Sequence, residues 1–278
     1  DNDKKVPTQN AKFAAHDTLK PGEDPNDPKA YARFQSKDYS ADVIAEQARA
    51  FVRGNQDKPF FCYWPTTVPH LALQVPDDSL TEYLGKFDDP PYGGGKGYLP
   101  HFKPRAAYAA MITRMDRQIG ELIDKLKSLG LDEKTLVIFT SDNGPHKEGG
   151  NDPQLFNAGG GLRGLKRDLY EGGIRVPFIA RWPGKIPAGI VSPHVGYFGD
   201  FLATAADLAG AQAPANLDSL SLVPVLTGDT AKQARHEFLY WEFFERGFSQ
   251  AVLLDGRWKG IRLQRRTAPI ELYDLTTD

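Results

Sequence analysis

The sequence predicts an α/β fold: a mostly parallel central sheet flanked by helices, with a small antiparallel subdomain at its C-terminal end. Three observations carry this reading. A strongly amphipathic helix over 106–129 is followed, after a short turn, by a strand at 135–140, the helix-then-strand order that builds a parallel sheet. That strand ends on Asp142-Asn143-Gly144, and open α/β sheets collect ligands beyond the carboxyl ends of their strands. Beyond Thr227 the pattern changes to four short strand candidates separated by turns.

The elements follow in order. Residues 1–37 are polar and proline-punctuated, so they read as exposed loop. A helix starts at Ser40, with Ser40 or Asp42 as its cap and Val43, Ile44, Ala48, Phe51 and Val52 at helical spacing. Gly54-Asn55 ends it. The aromatic run Pro59 to Trp64 reads as a buried strand. Glycines and prolines make 85–104 an irregular surface segment. In the long helix Tyr108, Met111, Ile112, Met115, Ile119, Leu122, Ile123 and Leu126 form one stripe, with Gly130 at the C-terminal end. Residues 144–164 are a glycine-rich loop, Arg175 to Trp182 another strand, and Asp200 to Gly210 a helix. Segments 238–244, 250–254, 258–263 and 270–275 form the C-terminal strands, with Asp255-Gly256 as a hairpin turn. The expected division is 1–226 for the α/β portion and 227–278 for the subdomain.

Composition bounds the function. Hydrophobic residues at 40% and charged residues at 25% are ordinary globular values, so a sizeable core is available. A net charge of -2, with basic residues scattered apart from Arg265-Arg266, argues against nucleic acid as a partner. No apolar run approaches the roughly 20 residues of a membrane span. The single cysteine, Cys62, excludes an internal disulfide framework.

Asp142 and Asn143 place a carboxylate beside a carboxamide, two oxygen donors that suit a hard cation such as calcium. Asp-Asn-Gly is equally a plain turn signal. The downstream run Leu162-Arg163-Gly164-Leu165-Lys166-Arg167-Asp168-Leu169-Tyr170-Glu171-Gly172-Gly173-Ile174-Arg175-Val176-Pro177, then Arg181-Trp182-Pro183-Gly184, weighs against the plain turn. So do the upstream Pro59-Phe60-Phe61 and Val68-Pro69-His70.

With Ser141-Asp142-Asn143-Gly144 and the later Leu272-Tyr273-Asp274-Leu275, these motifs resemble the sulfatase family of the alkaline-phosphatase superfamily from about Ser40 onward. The resemblance implies hydrolysis of a sulfate ester, of a sulfated carbohydrate or an aryl alcohol, at a site with one calcium ion. Asp142 and Asn143 would be two of its ligands. Lys166 would contact the sulfate oxygens and the leaving-group side, and His70 would bind sulfate and protonate the departing alcohol. His146, three residues past Asn143, would line the pocket as a substrate contact. Arg163, Glu171 and Arg175 would hold the glycine loop by ion pairs. Tyr92, Lys96, His101 and Lys147, in the segments 85–104 and 145–161, are candidates for substrate contact. His16, His194 and His236, with His101, otherwise read as surface or structural residues.

Related phosphate-ester hydrolases carry histidine after the strand-end aspartate to hold a second, zinc-type metal. Asn143 stands there instead, which favours one hard cation and sulfate over phosphate. A phosphodiesterase or phosphonate hydrolase, or a non-catalytic sulfated-glycan binding protein, are the alternative readings. The family's nucleophile is a formylglycine made from cysteine or serine in a Cys/Ser-x-Pro/Ala-x-Arg stretch, and this sequence holds none. Cys62 precedes Tyr63-Trp64-Pro65-Thr66. The chain is therefore expected to lack an N-terminal part of the family's fold and to be inactive by itself. Family habit alone suggests a periplasmic or extracellular location.

Overall fold

Every i, i+4, i+7 position from Ala41 carries a small or branched apolar residue, and that stripe is what the first helix buries. The computed structural model describes residues 7–95, 97–245 and 247–277. They form two compact units, one of the described residues within 1–132 and 146–156 and the other of those within 133–145 and 157–278.

In the first unit, α1 (Ser40–Gly54) buries Ala41, Ala45, Ala48 and Val52. Its N-cap is Tyr39, which makes no side-chain cap bond, so neither Ser40 nor Asp42 caps it as expected. Asp42 is committed elsewhere: its two oxygens accept from Arg114 Nε and Nη2 at 2.7 and 2.6 Å, and from Gln118 at 2.6 Å. A short helix α2 (Asp77–Leu80) leads to α3 (Pro104–Ser128). Proline opens α3, where a missing N–H costs nothing, and the buried Asp89 carboxylate accepts from the Arg105 and Ala106 amides, both at 2.9 Å. Tyr108, Met111, Met115 and Leu126 of the expected stripe are buried, whereas Ile112 is exposed. Gly130 ends the helix at φ 67°, with the Leu131 amide bonded back to Leu126 O.

The aromatic run 59–64 is not a strand. Phe61 and Tyr63 are exposed while their neighbours are half-buried, an extended alternation without a ladder. A strand needs a ladder, and the ladders of the described residues do not include this segment.

In the second unit, β1 (Val137–Thr140) pairs antiparallel with β2 (Phe178–Arg181), Val137 opposite Arg181 and Thr140 opposite Phe178. The expected mostly parallel sheet is therefore not what the described residues form; both of their sheets are antiparallel. The connection explains the direction. Between β1 and β2 the chain runs through glycine-rich loop and the single turn of α4 (Glu171–Ile174), not through a long crossover helix. After α5 (Asp200–Leu208) and α6 (Val223–Thr227) comes a four-stranded meander: β3 (Phe238–Phe243), β4 (Ser249–Leu254), β5 (Trp258–Arg262) and β6 (Glu271–Asp274). Asp255 and Gly256 turn β4 into β5 with φ values of 51° and 67°, the pair of positive angles that this dipeptide supplies.

Leu169, Ala251 and Ile261 form the core beneath this sheet, with Tyr170, Ile174, Trp241 and Phe243 packed against it. A lysine is built into the same region. Lys259 on β5 is only 1% exposed, pairs with Glu171 at 3.0 Å and lies 4.6 Å from the centre of the Trp241 ring.

Candidate active site

β1 delivers Asp142 and Asn143 onto a turn, and three glycines decide where that turn sits. A Cβ on Gly144 would lie 1.9 Å from Gly172 O; one on Gly172 would meet Gly164 O at 2.3 Å, and one on Gly173 would meet Asp168 O at 2.1 Å. None of the three has a positive φ, so close backbone approach is what demands glycine here. The Gly144 amide donates to Gly173 O at 2.9 Å, and the Lys166 amide to Pro145 O at 2.8 Å. Gly172 N in turn donates to Arg163 O at 2.7 Å. The acid–amide turn and the lysine loop are thus laced together through their backbones.

The side chains follow. Asp142 is exposed, while Asn143 and Lys166 are half-buried, and all three line one cavity of about 330 Å3. Asn143 Nδ2 donates to Gly144 O at 2.9 Å, which leaves Oδ1 as its free donor atom toward a cation. Asp168 also lines the cavity, but its Oδ2 is spent on the Leu165 amide at 2.9 Å. Arg167 and Glu245 complete the charged lining, joined at 2.8 Å.

As a metal site, the donor set fits a hard cation in kind and falls short in number. Asp142 and Asn143 give two oxygens, whereas calcium takes about 6–8. Among the described residues no group of three or more His, Cys, Asp and Glu could hold a metal.

His70 and His146 belong to the first unit, so the sequence's five candidates fall into two groups. The exposed His70 donates through Nδ1 to Leu71 O, 2.8 Å away, and the peptide bonds Val68-Pro69 and Leu71-Ala72 on either side of it are cis. His146 is 6% exposed, with its ring centre 6.3 Å from that of His70 and 5.9 Å from Tyr108. Of the substrate-contact candidates, Lys147 is exposed, Lys96 lies outside the described residues, and Tyr92 has a buried hydroxyl without a hydrogen bond. His101 is committed to structure. Its Nδ1 accepts from the Lys103 amide at 3.0 Å, and burial pushes its pKa down to about 4.

Of the three residues expected to pair among themselves, Arg163, Glu171 and Arg175, the first two take other partners. Arg163 bonds the Tyr273 and Tyr170 hydroxyls at 2.7 and 3.0 Å and stacks over Tyr170, and Glu171 pairs with Lys259. Both tyrosines also donate to Glu271, which holds that carboxyl below its usual range. The reason is separation in sequence: Lys259 and Glu271 come from the C-terminal sheet, which periodicity alone cannot dock onto the loop. Asp200, fully buried, was also missed. It accepts from His236 Nε2 at 2.9 Å and from the Tyr197 and Leu220 amides, so His236 is structural.

The family model for sulfatase matches residues 2–211, and the model for the C-terminal part of N-sulphoglucosamine sulphohydrolase matches 164–278. Steryl-sulfatase of Mus musculus is 33% identical over 201 residues, 71% of this chain and 29% of that protein. The chain thus spans about three-tenths of the length of the curated relatives it matches. Among solved structures, Ps i-CgsB in complex with k-i-k-neocarrahexaose superposes with a TM-score of 0.71 at 27% identity, over 87% of this chain and 50% of that one. The phosphonate monoester hydrolase of Agrobacterium radiobacter, at 22% identity and a TM-score of 0.65 over 86% and 55% of the two chains, shares the fold.

Proposed function

This chain belongs to the sulfatase family, and from that premise we propose that the protein hydrolyses sulfate esters, of a sulfated carbohydrate or an aryl alcohol. The observation that carries the reading is the cavity shared by Asp142, Asn143 and Lys166, laced together by the Gly144–Gly173 and Lys166–Pro145 backbone bonds. A sulfate monoester asks little covalent chemistry of an enzyme beyond in-line displacement. Fixed positive charge aimed at the equatorial oxygens supplies most of the stabilisation.

Asp142 and Asn143 would hold one calcium ion, which supplies further positive charge to the sulfate group when bound. Lys166 neutralises the sulfonyl oxygens and the developing charge on the leaving oxygen. Among the described residues its ammonium forms no ion pair, so its charge is undivided. His70 is proposed as the group that protonates the departing alkoxide, an imidazole being suited to proton transfer near neutral pH. His146 is proposed as a further sulfate contact. The formylglycine nucleophile is proposed to come from outside residues 1–278, because no Cys/Ser-x-Pro/Ala-x-Arg stretch occurs within them. This chain alone should accordingly not turn over.

The mostly parallel central sheet remains part of the same proposal. Phe178 and Ile179 on β2 are 49% and 59% exposed, apolar side chains on the two faces of the strand that helices would cover in a larger parallel sheet. The membership in this family also favours, without more, a periplasmic or extracellular site of action. The described residues contain no helix long and apolar enough to cross a membrane.

The test is ester selectivity of the full-length protein. Nitrophenyl sulfate or a sulfated sugar should be hydrolysed in preference to nitrophenyl phosphate and phosphonate. A preference for phosphate or phosphonate would hand the site to the alternative reading, which so far rests on shared fold alone.

A further inference from the structure

The cavity around Lys166 is larger than a sulfate group requires. At about 330 Å3 it lies near the lower end of small-molecule sites, which run from roughly 300 to 1,000 Å3, so it has room for a ring as well as its ester. Part of its lining comes from the C-terminal sheet: Phe243, the last residue of β3, and Glu245 just beyond it. Arg167 faces Glu245, with Nε 2.8 Å from Oε1 and 2.9 Å from Oε2.

Arg167 is held in an unusual conformation. Its φ is 78°, in the left-handed region that few residues other than glycine adopt, and such angles persist only where the surroundings over-determine them. The turn around it does so. The Asp168 amide donates to Leu165 O, and the Leu165 amide to Asp168 Oδ2, both at 2.9 Å. The arginine next to the sulfate-binding lysine is thereby fixed against a carboxylate 78 residues further on.

We infer that Phe243, Arg167 and Glu245 form a subsite that reads the hydroxyl groups of a sugar ring whose sulfate lies at Lys166. The inference deepens the sulfatase reading and rests on it. A phenyl face carries negative charge and attracts the C–H groups of one pyranose face. The Glu245 side chain is half exposed, so its carboxylate keeps lone pairs for hydroxyl donors even while paired. An aryl or steryl group has no hydroxyls to offer and would desolvate that ion pair without replacing its lost water. The wall therefore favours carbohydrate sulfates over aryl sulfates.

Titration calorimetry on the full-length protein with its formylglycine precursor residue replaced by alanine, the background for every variant here, tests this without turnover. The probes are galactose and glucose monosulfates, with sulfate at O2, O4 or O6, and nitrophenyl sulfate. At least one hexose sulfate should bind more tightly than nitrophenyl sulfate. Glu245→Gln should weaken that hexose sulfate about tenfold while moving nitrophenyl sulfate less than about twofold, as expected for a lost charge-assisted hydrogen bond. Arg167→Lys should act in the same direction, and it serves if the first variant does not fold. Equal weakening of both probes, or of neither, overturns the subsite. Tighter binding of nitrophenyl sulfate than of every hexose sulfate by wild type overturns the subsite alone; no binding of any sulfate ester overturns the sulfate site with it.

Discussion

The backbone amide of Lys166 donates to the carbonyl of Pro145 at 2.8 Å, so the proposed sulfate-binding lysine is tied directly to the turn that carries Asp142 and Asn143. One residue back, Gly144 N reaches Gly173 O at 2.9 Å. The chemistry of the site therefore rests on backbone approach more than on side-chain packing.

That arrangement makes Gly144 intolerant of any side chain. Gly144→Ala would press a methyl into Gly172 O and should cost about 3 kcal/mol, at the upper end for overpacking. Gly120→Ala, in the middle of α3 where an added Cβ meets nothing within 4 Å, should instead stabilise by about 0.5–1 kcal/mol. Urea denaturation of both variants checks the contrast; equal effects would show that the glycine junction is looser than described.

Lys259 and Glu171 are 88 positions apart and meet at 3.0 Å at the start of α4, the turn that holds Gly172 and Gly173. Burial lowers the Lys259 pKa, and the Glu171 carboxylate works against that shift. Lys259→Met should strand a largely buried carboxylate and destabilise by about 2–3 kcal/mol, while adding Glu171→Gln should restore at least half of it. Denaturation of the single and double variants decides the matter. A double variant worse than the single would mean that the two residues do not act as a pair.

His101 titrates differently in the folded and unfolded chains. Burial sets its folded pKa at about 4, against about 6.5 when unfolded, so the unfolded state binds the extra proton between these values. Stability from this residue is complete above pH about 6.5 and is lost as pH falls through 4. His101→Gln should flatten that part of the stability–pH curve, by of order 2 kcal/mol between pH 7 and 4. An unchanged slope would place the acid sensitivity elsewhere.

Cys62 is half-buried and its thiol pKa is raised by burial, so little thiolate is present at neutral pH. Alkylation by iodoacetamide at pH 7 should run slower than for a free thiol. Reaction at the free-thiol rate would show an open environment.

Local patterns explain what the sequence made legible. The α3 stripe apart from the exposed Ile112, the glycine at 130 and the Asp255-Gly256 turn are set by residues within a few positions of one another and stand where expected, whereas α1 buries Ala41, Ala45, Ala48 and Val52 and leaves the expected Phe51 exposed. Asp142, Asn143 and Lys166 were legible as a spaced motif, and they share a cavity. The 59–64 run failed as a strand because an apolar run states burial, not the presence of a ladder partner. The antiparallel sense of β1 and β2 and the Arg167–Glu245 and Glu171–Lys259 pairs depend on segments 37 to 88 residues apart, a distance over which periodicity says nothing.

The most direct test is the rate at which the full-length protein cleaves a sulfate monoester before and after Lys166→Ala. The account predicts a fall in kcat/KM of about 100-fold or more, as when one fixed positive donor is removed from a developing anion, with calcium affinity changed less than about twofold. Wild-type turnover by the variant would contradict it, because the ammonium beside the Asp142–Asn143 turn would then have no part in the chemistry.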